Sequence, residues 1–243
     1  MPSPDYDVFI AGGGINGCGI ARDLAGRGLK TGLAEMGDLA QGTSSASTKL
    51  IHGGLRYLEQ YEFGLVREAL KEREVLLSIA PHIVRPLRFV LPHTPGMRPR
   101  WMLRLGLLLY DHLARRVSLP ASHALDLRTS PAGGPLEDTY SSAFEYSDCR
   151  VDDARLVIAN ARDAALRGAD IFTRTKLTGA SRNGGIWKIG LSGTGGQSRQ
   201  VTAAMLINAT GPWADNTAKN IGGASCNRRI RLVQGAHIVT ARL

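Results

Sequence analysis

Apolar and polar positions change period along the chain, and the changes mark its elements. Asp7 to Ala11 carries the unbroken apolar run Val8-Phe9-Ile10-Ala11. A run without polar alternation predicts a central parallel strand, buried on both faces. A glycine-rich turn follows from Gly12 to Gly19. Ile15 to Arg27 then reads as a helix that turns Ile20, Ala21, Leu24 and Ala25 to one side, with Gly28 at the position favoured after a helix end. Leu29 to Glu35 reads as a second strand, which completes a βαβ unit at the start of the chain.

Glu62 to Ala80 has helical period, with Val66, Ala69, Leu70, Leu76, Leu77 and Ala80 on one side; Pro81 stops it. Residues 85–145 are rich in proline and keep no sustained period, apart from a helix expected at Trp101 to Leu113. Asp152 and Asp153 can cap a helix running to about Arg167, with Gly168 after it. Short strands follow at Ile171–Thr173, Lys176–Ser181, Ile186–Leu191 and Arg199–Ala203, separated by turns such as Asn183-Gly184. A last apolar strand, Met205 to Ala209, runs into Thr210-Gly211. The order predicts an α/β fold: a Rossmann-like dinucleotide-binding domain with a parallel sheet and a β-meander, joined to part of a second domain.

Composition narrows the function classes. The 243 residues are 43% hydrophobic and 21% charged, as in globular proteins, and suffice for a sizeable core. The net charge is +9. Arginines are scattered, and no basic block is interleaved with aromatics, so nucleic acid is not an expected partner. An anionic substrate, an anionic membrane surface, or a basic background without function all fit that charge. Cys18, Cys149 and Cys226 form no Cys-x-x-Cys pair, so neither a metal site nor a disulfide framework is expected, and free thiols fit a reducing compartment. The N-terminus lacks the pattern of a signal peptide. The longest nearly apolar run, Leu105 to Tyr110, is too short to span a bilayer.

Gly12-Gly13-Gly14-Ile15-Asn16-Gly17 satisfies Gly-x-Gly-x-x-Gly between a strand and a helix, the context the motif requires. Gly12 permits the tight turn, Gly14 lets the main chain approach a pyrophosphate, and Gly17 allows close helix–strand packing. The helix N-terminus offers unpaired amides to phosphate. Glu35, at the end of the second strand, can bond both ribose hydroxyls and would repel a 2′-phosphate, which argues against NADP. The motif alone does not separate FAD from NAD. The intervening meander and the returning strand that ends in Ala209-Thr210-Gly211 favour FAD. Thr43, Ser44, Ser45, Ser47 and Thr48 are hydroxyls that can donate to phosphate or flavin oxygens; read alone, they fit a serine-rich loop equally well.

The segments TSSASTKLIHGGLRYLE (43–59), EREVLL (72–77), APHIVRPLRF (80–89), WMLRLGLLLYDHL (101–113), FEYSDCRVDDARLVIANA (144–161) and NATGPWA (208–214) together resemble the respiratory, quinone-linked FAD-dependent glycerol-3-phosphate dehydrogenases. These belong to the D-amino-acid oxidase-like flavoprotein superfamily. The resemblance covers nearly the whole chain. It implies FAD as cofactor, oxidation of sn-glycerol 3-phosphate to dihydroxyacetone phosphate, electrons passed to quinone, and a peripheral place on the inner face of the cell membrane; a homodimer stays open. By motif match, Gly12, Gly14, Ile15, Asn16, Gly17, Glu35, Thr43, Ser44, Ser45, Ser47, Ala209, Thr210 and Gly211 are expected at the cofactor. His52, Arg56 and Tyr57 fall in the segment expected at the reactive face of the flavin.

Two readings stay open at each of these last positions. His52 either takes the hydroxyl proton of the substrate or holds its loop by a structural bond. Arg56 either grips phosphate bidentately or pairs with a carboxylate. Lys49 adds charge to the same place or is solvated. Asp148 and Asp153 are expected as caps, and Cys18 as a small packing residue. The Trp101–Leu113 helix, with Arg98, Arg100 and Arg104 beside its leucines, is either interfacial or packed on the second domain. Domain boundaries are expected to place 1–80 and 146–225 in the FAD-binding domain and 81–145 and 226–243 in a substrate domain truncated at its C-terminus. Family members are considerably longer, and Gln234 to Thr240 reads as the first long strand of that substrate domain. The chain is therefore expected to be a fragment that binds FAD weakly and turns over little substrate. An oxidase that uses oxygen, and a non-catalytic FAD-binding remnant, are the alternatives.

Overall fold

A computed structural model describes residues 3–222, 230–233 and 235–238. In chain order the elements are β1 (Tyr6–Ala11), α1 (Ile15–Gly26), β2 (Thr31–Ala34), β3 (Leu50–Ile51), α2 (Phe63–Ile79), β4 (Val84–Pro92), α3 (Arg100–His112), β5 (His123–Asp126) and β6 (Ser142–Val151). They continue with α4 (Asp153–Leu166), β7 (Asp170–Phe172), β8 (Lys176–Asn183), β9 (Ile186–Ser192), β10 (Ser198–Asn208) and α5 (Ala214–Lys219). The chain divides into two compact units. One comprises Met1–Ser47 with Asp153–His237, the other Thr48–Asp152 with Ile238–Leu243.

The first unit is a six-stranded sheet in the order β7-β2-β1-β10-β9-β8. Its left half is parallel: β1 pairs with β2 and β10, and β2 with β7. The buried run Val8-Phe9-Ile10-Ala11 occupies the centre, as unbroken hydrophobicity requires. Gly17, Cys18, Ala21 and Ala25 form the buried face of α1, and their small size lets the helix approach the sheet closely. Val8, Ile10 and Leu33 share one core with these residues and with Val157, Ala161 and Ala164 of α4. Arg22 of α1 also pairs with Asp163 of α4 at 2.7 Å.

Three details of the expected strands change. Ile171 belongs to β7, which is not part of the meander but extends the parallel sheet beside β2. The strands expected at Arg199–Ala203 and Met205–Ala209 are one strand, β10, which pairs antiparallel with β9 early and parallel with β1 late. Of the strand expected at Gln234–Thr240, residues 235–238 carry no regular structure and the other three lie outside the described residues.

The second unit contains a sheet in which β6 is central. It pairs antiparallel with β3, β4 and β5. The proline-rich stretch therefore hides two and a half strands. β4 tolerates Pro86 and Pro92 because it is an edge strand, where a missing ladder donor costs nothing. α2 buries Val66, Leu70, Arg73 and Leu77. Leu55 and Leu58, which precede it, join the cluster of Val66, Leu70 and Tyr110. These compact units divide at 47/48 and 152/153; the domains are expected to divide at 80/81, 145/146 and 225/226. The hydroxyl-rich segment is split at Ser47/Thr48, while the His52 segment and α2 lie wholly in the second unit.

Candidate functional site

The crossover from β1 to α1 is built from main chain. Gly12 has φ +112°, a conformation closed to most side chains, and a Cβ there would lie 2.7 Å from the carbonyl carbon of Ala209 and 3.0 Å from Cα of Thr210. A methyl on Gly17 would run into the carbonyl oxygen of Gly12. The turn is therefore pressed between α1 and the end of β10. The Ala209 amide donates to Ala11 O at 2.8 Å, which places Ala209-Thr210-Gly211 directly beside the glycine turn. Asn208 fixes this end. Its Oδ1 accepts from Thr210 Oγ1 at 2.7 Å and its Nδ2 donates to Ala214 O at 2.9 Å.

The N-terminus of α1 is capped by Gly14 with no side-chain bond from the cap and no acidic residue in the first turn. Such an end presents unpaired amides and a partial positive charge. Ser44 Oγ accepts from Ile15 N at 2.9 Å, so one hydroxyl of the serine-rich loop lies at this end. Trp213 covers the loop at Gly42, where a Cβ would meet its ring at 3.1 Å. Beside the turn, Ile15, Asn16, Gly19 and Ile20 face Ile207, Asn208 and Ala209 across a shallow cleft of about 440 Å³. Glu35 accepts from Gly13 N at 2.7 Å through one oxygen and from Gly37 N at 2.8 Å through the other. Each carboxylate oxygen keeps a further lone pair for a hydroxyl group. Ser47 is committed elsewhere: its Oγ donates to Asp153 at 2.7 Å. Cys18 is buried, and burial pushes its thiol up to about 12, which keeps it protonated and inert.

The second unit holds a separate cleft of about 420 Å³. His52, Gly54, Arg56 and Tyr57 line it with Phe89, Tyr146 and Asp148. His52 and Arg56 are exposed, and among the described residues neither head group makes a hydrogen bond or ion pair. The loop beneath them is held from the core. Gly53 N donates to Tyr110 Oη at 2.8 Å, and Tyr110 in turn donates to Asp148 Oδ1 at 2.8 Å. Arg73 Nη1 donates to Asp148 Oδ1 at 2.6 Å and to Ser147 O at 3.0 Å. Arg73, Asp148 and Tyr110 are 4%, 3% and 2% exposed. Burial, and then the charge of Asp148, raise the Tyr110 phenol far above its usual value, so it stays protonated and acts as a donor to the carboxylate. Burial also raises the Tyr146 phenol.

The chain matches the model of a family described as FAD dependent oxidoreductase over residues 7–243. It belongs to that family. It is 56% identical over 244 residues to D-erythritol 1-phosphate dehydrogenase of Brucella abortus, covering 100% of this chain and 49% of that protein. It is 56% identical over 238 residues to glycerol-3-phosphate dehydrogenase of Pseudomonas aeruginosa, covering 98% of this chain and 46% of that protein. The chain thus spans about half the length of the curated relatives it matches. A glycerol-3-phosphate dehydrogenase of Bacillus halodurans, solved with FAD, superposes with a TM-score of 0.66 at 28% identity, covering 87% of this chain and 35% of that one.

FAD is accordingly the cofactor of this FAD dependent oxidoreductase chain, and the β1–α1 turn fits its diphosphate: a helix with no acid in its first turn, and a turn in which side chains have no room. Of the residues expected at the cofactor, Gly12, Gly14, Ile15, Asn16, Gly17, Glu35, Ser44, Ala209 and Thr210 are brought together in the first unit. Thr43 and Ser45 share a single 3₁₀ turn with Ser44, and Gly211, at φ +55°, opens the turn after β10. The second unit brings together His52, Arg56 and Tyr57. Asp148 is not a cap, because it lies within β6 and faces the core. Asp153 does sit at a helix start, as the first residue of α4, and accepts from Ala154 N at 2.8 Å. The sequence pattern does not mark Tyr110 and Arg73 as site-related residues. Both sit on helices among apolar positions, and the one available signal was an arginine on the buried face of α2.

Proposed function

We propose that this chain carries the FAD seat and the proton-accepting part of a polyol-phosphate dehydrogenase, with sn-glycerol 3-phosphate as substrate and dihydroxyacetone phosphate as product. The observation that carries the reading is the cleft in which His52 and Arg56 stand unpaired, in a chain 56% identical to two sugar-alcohol phosphate dehydrogenases. When bound, FAD supplies a two-electron acceptor that can take the hydride from the carbinol carbon.

The residues of the chain supply the rest. Main-chain amides at Gly14, Asn16 and Gly17 hold the diphosphate, Glu35 holds the adenosine ribose, and Thr43, Ser44 (which holds the Ile15 amide) and Ser45 with the Ala209-Thr210-Gly211 turn line the remainder. The amides are the main term, because they cost no side-chain entropy to order. Arg56 offers two parallel donors to the substrate phosphate. His52 takes the C2 hydroxyl proton as the C2–H bond breaks, so that one proton and one hydride leave the alcohol together. Tyr57 borders the same cleft.

The electron acceptor in this reading is quinone, and oxygen is the alternative. Among the described residues no helix is long and apolar enough to cross a membrane. The outer side of α3 exposes Trp101, Leu105 and Leu108 near Arg98 and Arg100, which supports a peripheral place on the inner face of the membrane. A homodimer is compatible with this reading. A second substrate, D-erythritol 1-phosphate, is favoured by the 56% identity to the Brucella abortus enzyme.

The test is anaerobic reduction. The purified chain is loaded with FAD and mixed with either phosphate ester, and loss of the oxidised-flavin absorbance is followed. Bleaching by glycerol 3-phosphate supports the first reading, and bleaching by erythritol 1-phosphate alone supports the second. A chain that holds FAD and is reduced by neither would sink both. Reoxidation by a quinone analogue against oxygen then separates the acceptors.

A further inference from the structure

We propose that Tyr110, Asp148 and Arg73 are positioning residues that fix the Gly53 main chain and, with it, the imidazole of His52; the functional part of this inference rests on His52 being the proton acceptor. The three side chains come from α3, β6 and α2; the Gly53 amide donates to Tyr110, Tyr110 donates to Asp148, and Arg73 donates to the same Asp148 oxygen. Asp148 Oδ1 also lies 3.3 Å from that amide. Gly53 itself has no room for a side chain, since a Cβ would stand 2.6 Å from the Tyr110 hydroxyl. The loop that carries His52 is therefore seated on a polar support as well as on the apolar side chain of Leu70.

A support of this kind is a poor way to stabilise a fold. A buried ion pair loses in desolvation much of what it gains in attraction, and apolar side chains of the same volume often serve stability better. Here the pair is not even saturated. Arg73 Nε and the Glu74 carboxylate oxygen beside it find no hydrogen-bond partner. What the network does provide is direction. A hydroxyl and a carboxylate define where an N–H must point, whereas a leucine would let the loop slide. The same Asp148 borders the cleft that His52 and Arg56 line, so the support and the working surface are two sides of one segment. Proton transfer depends on distance and angle at the sub-ångström scale, and a fixed main chain at Gly53 sets both for His52.

The test uses the FAD-loaded chain, with Y110F as the main variant. It removes one oxygen and keeps the ring. In the parent, the Gly53 amide is expected to be protected from hydrogen exchange to the level of the β6 amides; an unprotected amide there overturns the proposal. In Y110F the Gly53 amide is expected to exchange at least about tenfold faster with β6 unchanged, the His52 ring resonances are expected to move, and those of His93 to stay. Flavin reduction is expected to slow about tenfold while the apparent substrate dissociation constant stays within about twofold. Unchanged Gly53 and His52 signals in a folded Y110F overturn the proposal, as does an altered amide with an unaltered reduction rate. Should Y110F fail to fold, R73M/D148L, which replaces the ion pair with apolar groups, reads the same two signals. If neither phosphate ester reduces the parent while the Gly53 and His52 signals respond, the substrate reading fails and the clamp on the loop stands.

Discussion

The two units solve the problem of holding a polar ligand in opposite ways. In the first, the proposed working groups are main-chain amides at the β1–α1 crossover, where glycine stands at positions with no room for a side chain. In the second, the proposed working groups are the side chains of His52 and Arg56, exposed and unpaired, while a buried ion pair and a phenol hold the chain beneath them. A backbone seat needs no precise side-chain rotamer, because secondary structure already fixes the amides. A side-chain site has to be oriented, and the orienting groups sit one layer deeper and far away in sequence. The first unit should therefore fail through steric intrusion and the second through loss of orientation.

The largest effect is expected at Gly17. G17V forces a branched side chain into the Gly12 carbonyl oxygen and should abolish measurable FAD binding, read by flavin fluorescence on titration. If G17V still binds FAD with the parent affinity, the backbone seat lies elsewhere. Next is Arg73. R73M leaves Asp148 buried without its cation and should cost about 3–5 kcal/mol of stability in urea denaturation, whereas R73M/D148L should recover most of it. Equal instability of the two variants would mean that the pair is replaceable only by itself.

Smaller effects separate the units further. R56Q should weaken binding of a phosphate ester by about 1.5–3 kcal/mol and leave FAD affinity unchanged, as measured by the two titrations side by side. S44A should weaken FAD by about 0.5–1.5 kcal/mol, the net worth of one ordinary hydrogen bond. The smallest concerns Asp163, whose carboxyl is held below its usual value by hydrogen bonds from Arg22 and then Arg167. A depressed carboxyl adds stability that is present above its unfolded value, near pH 4, and fades as pH falls through the folded one. The Arg22 and Asp163 side chains are 45% and 35% exposed and solvent-screened, so D163N should cost no more than about 0.5 kcal/mol at neutral pH and flatten the acid limb of the stability curve slightly.

What the sequence alone determined follows the same division. The βαβ start, the glycine turn, Glu35 at the strand end and the meander were legible, because each is specified by neighbours within a few residues: an unbroken apolar run, a helix period, a turn dipeptide. The His52 segment was legible by its residue types, although its role was not. Tertiary structure alone decided the rest. Strands β4 and β6 are invisible to periodicity because one is an edge strand that admits proline and the other is buried on most of its length. Asp148, read locally as a cap, became the acceptor for Arg73 and Tyr110, seventy-five and thirty-eight positions away. Local propensity can announce a backbone site because its geometry is short-range. It cannot announce a buried polar network, since burial and partner are properties of the packed chain rather than of any segment in it.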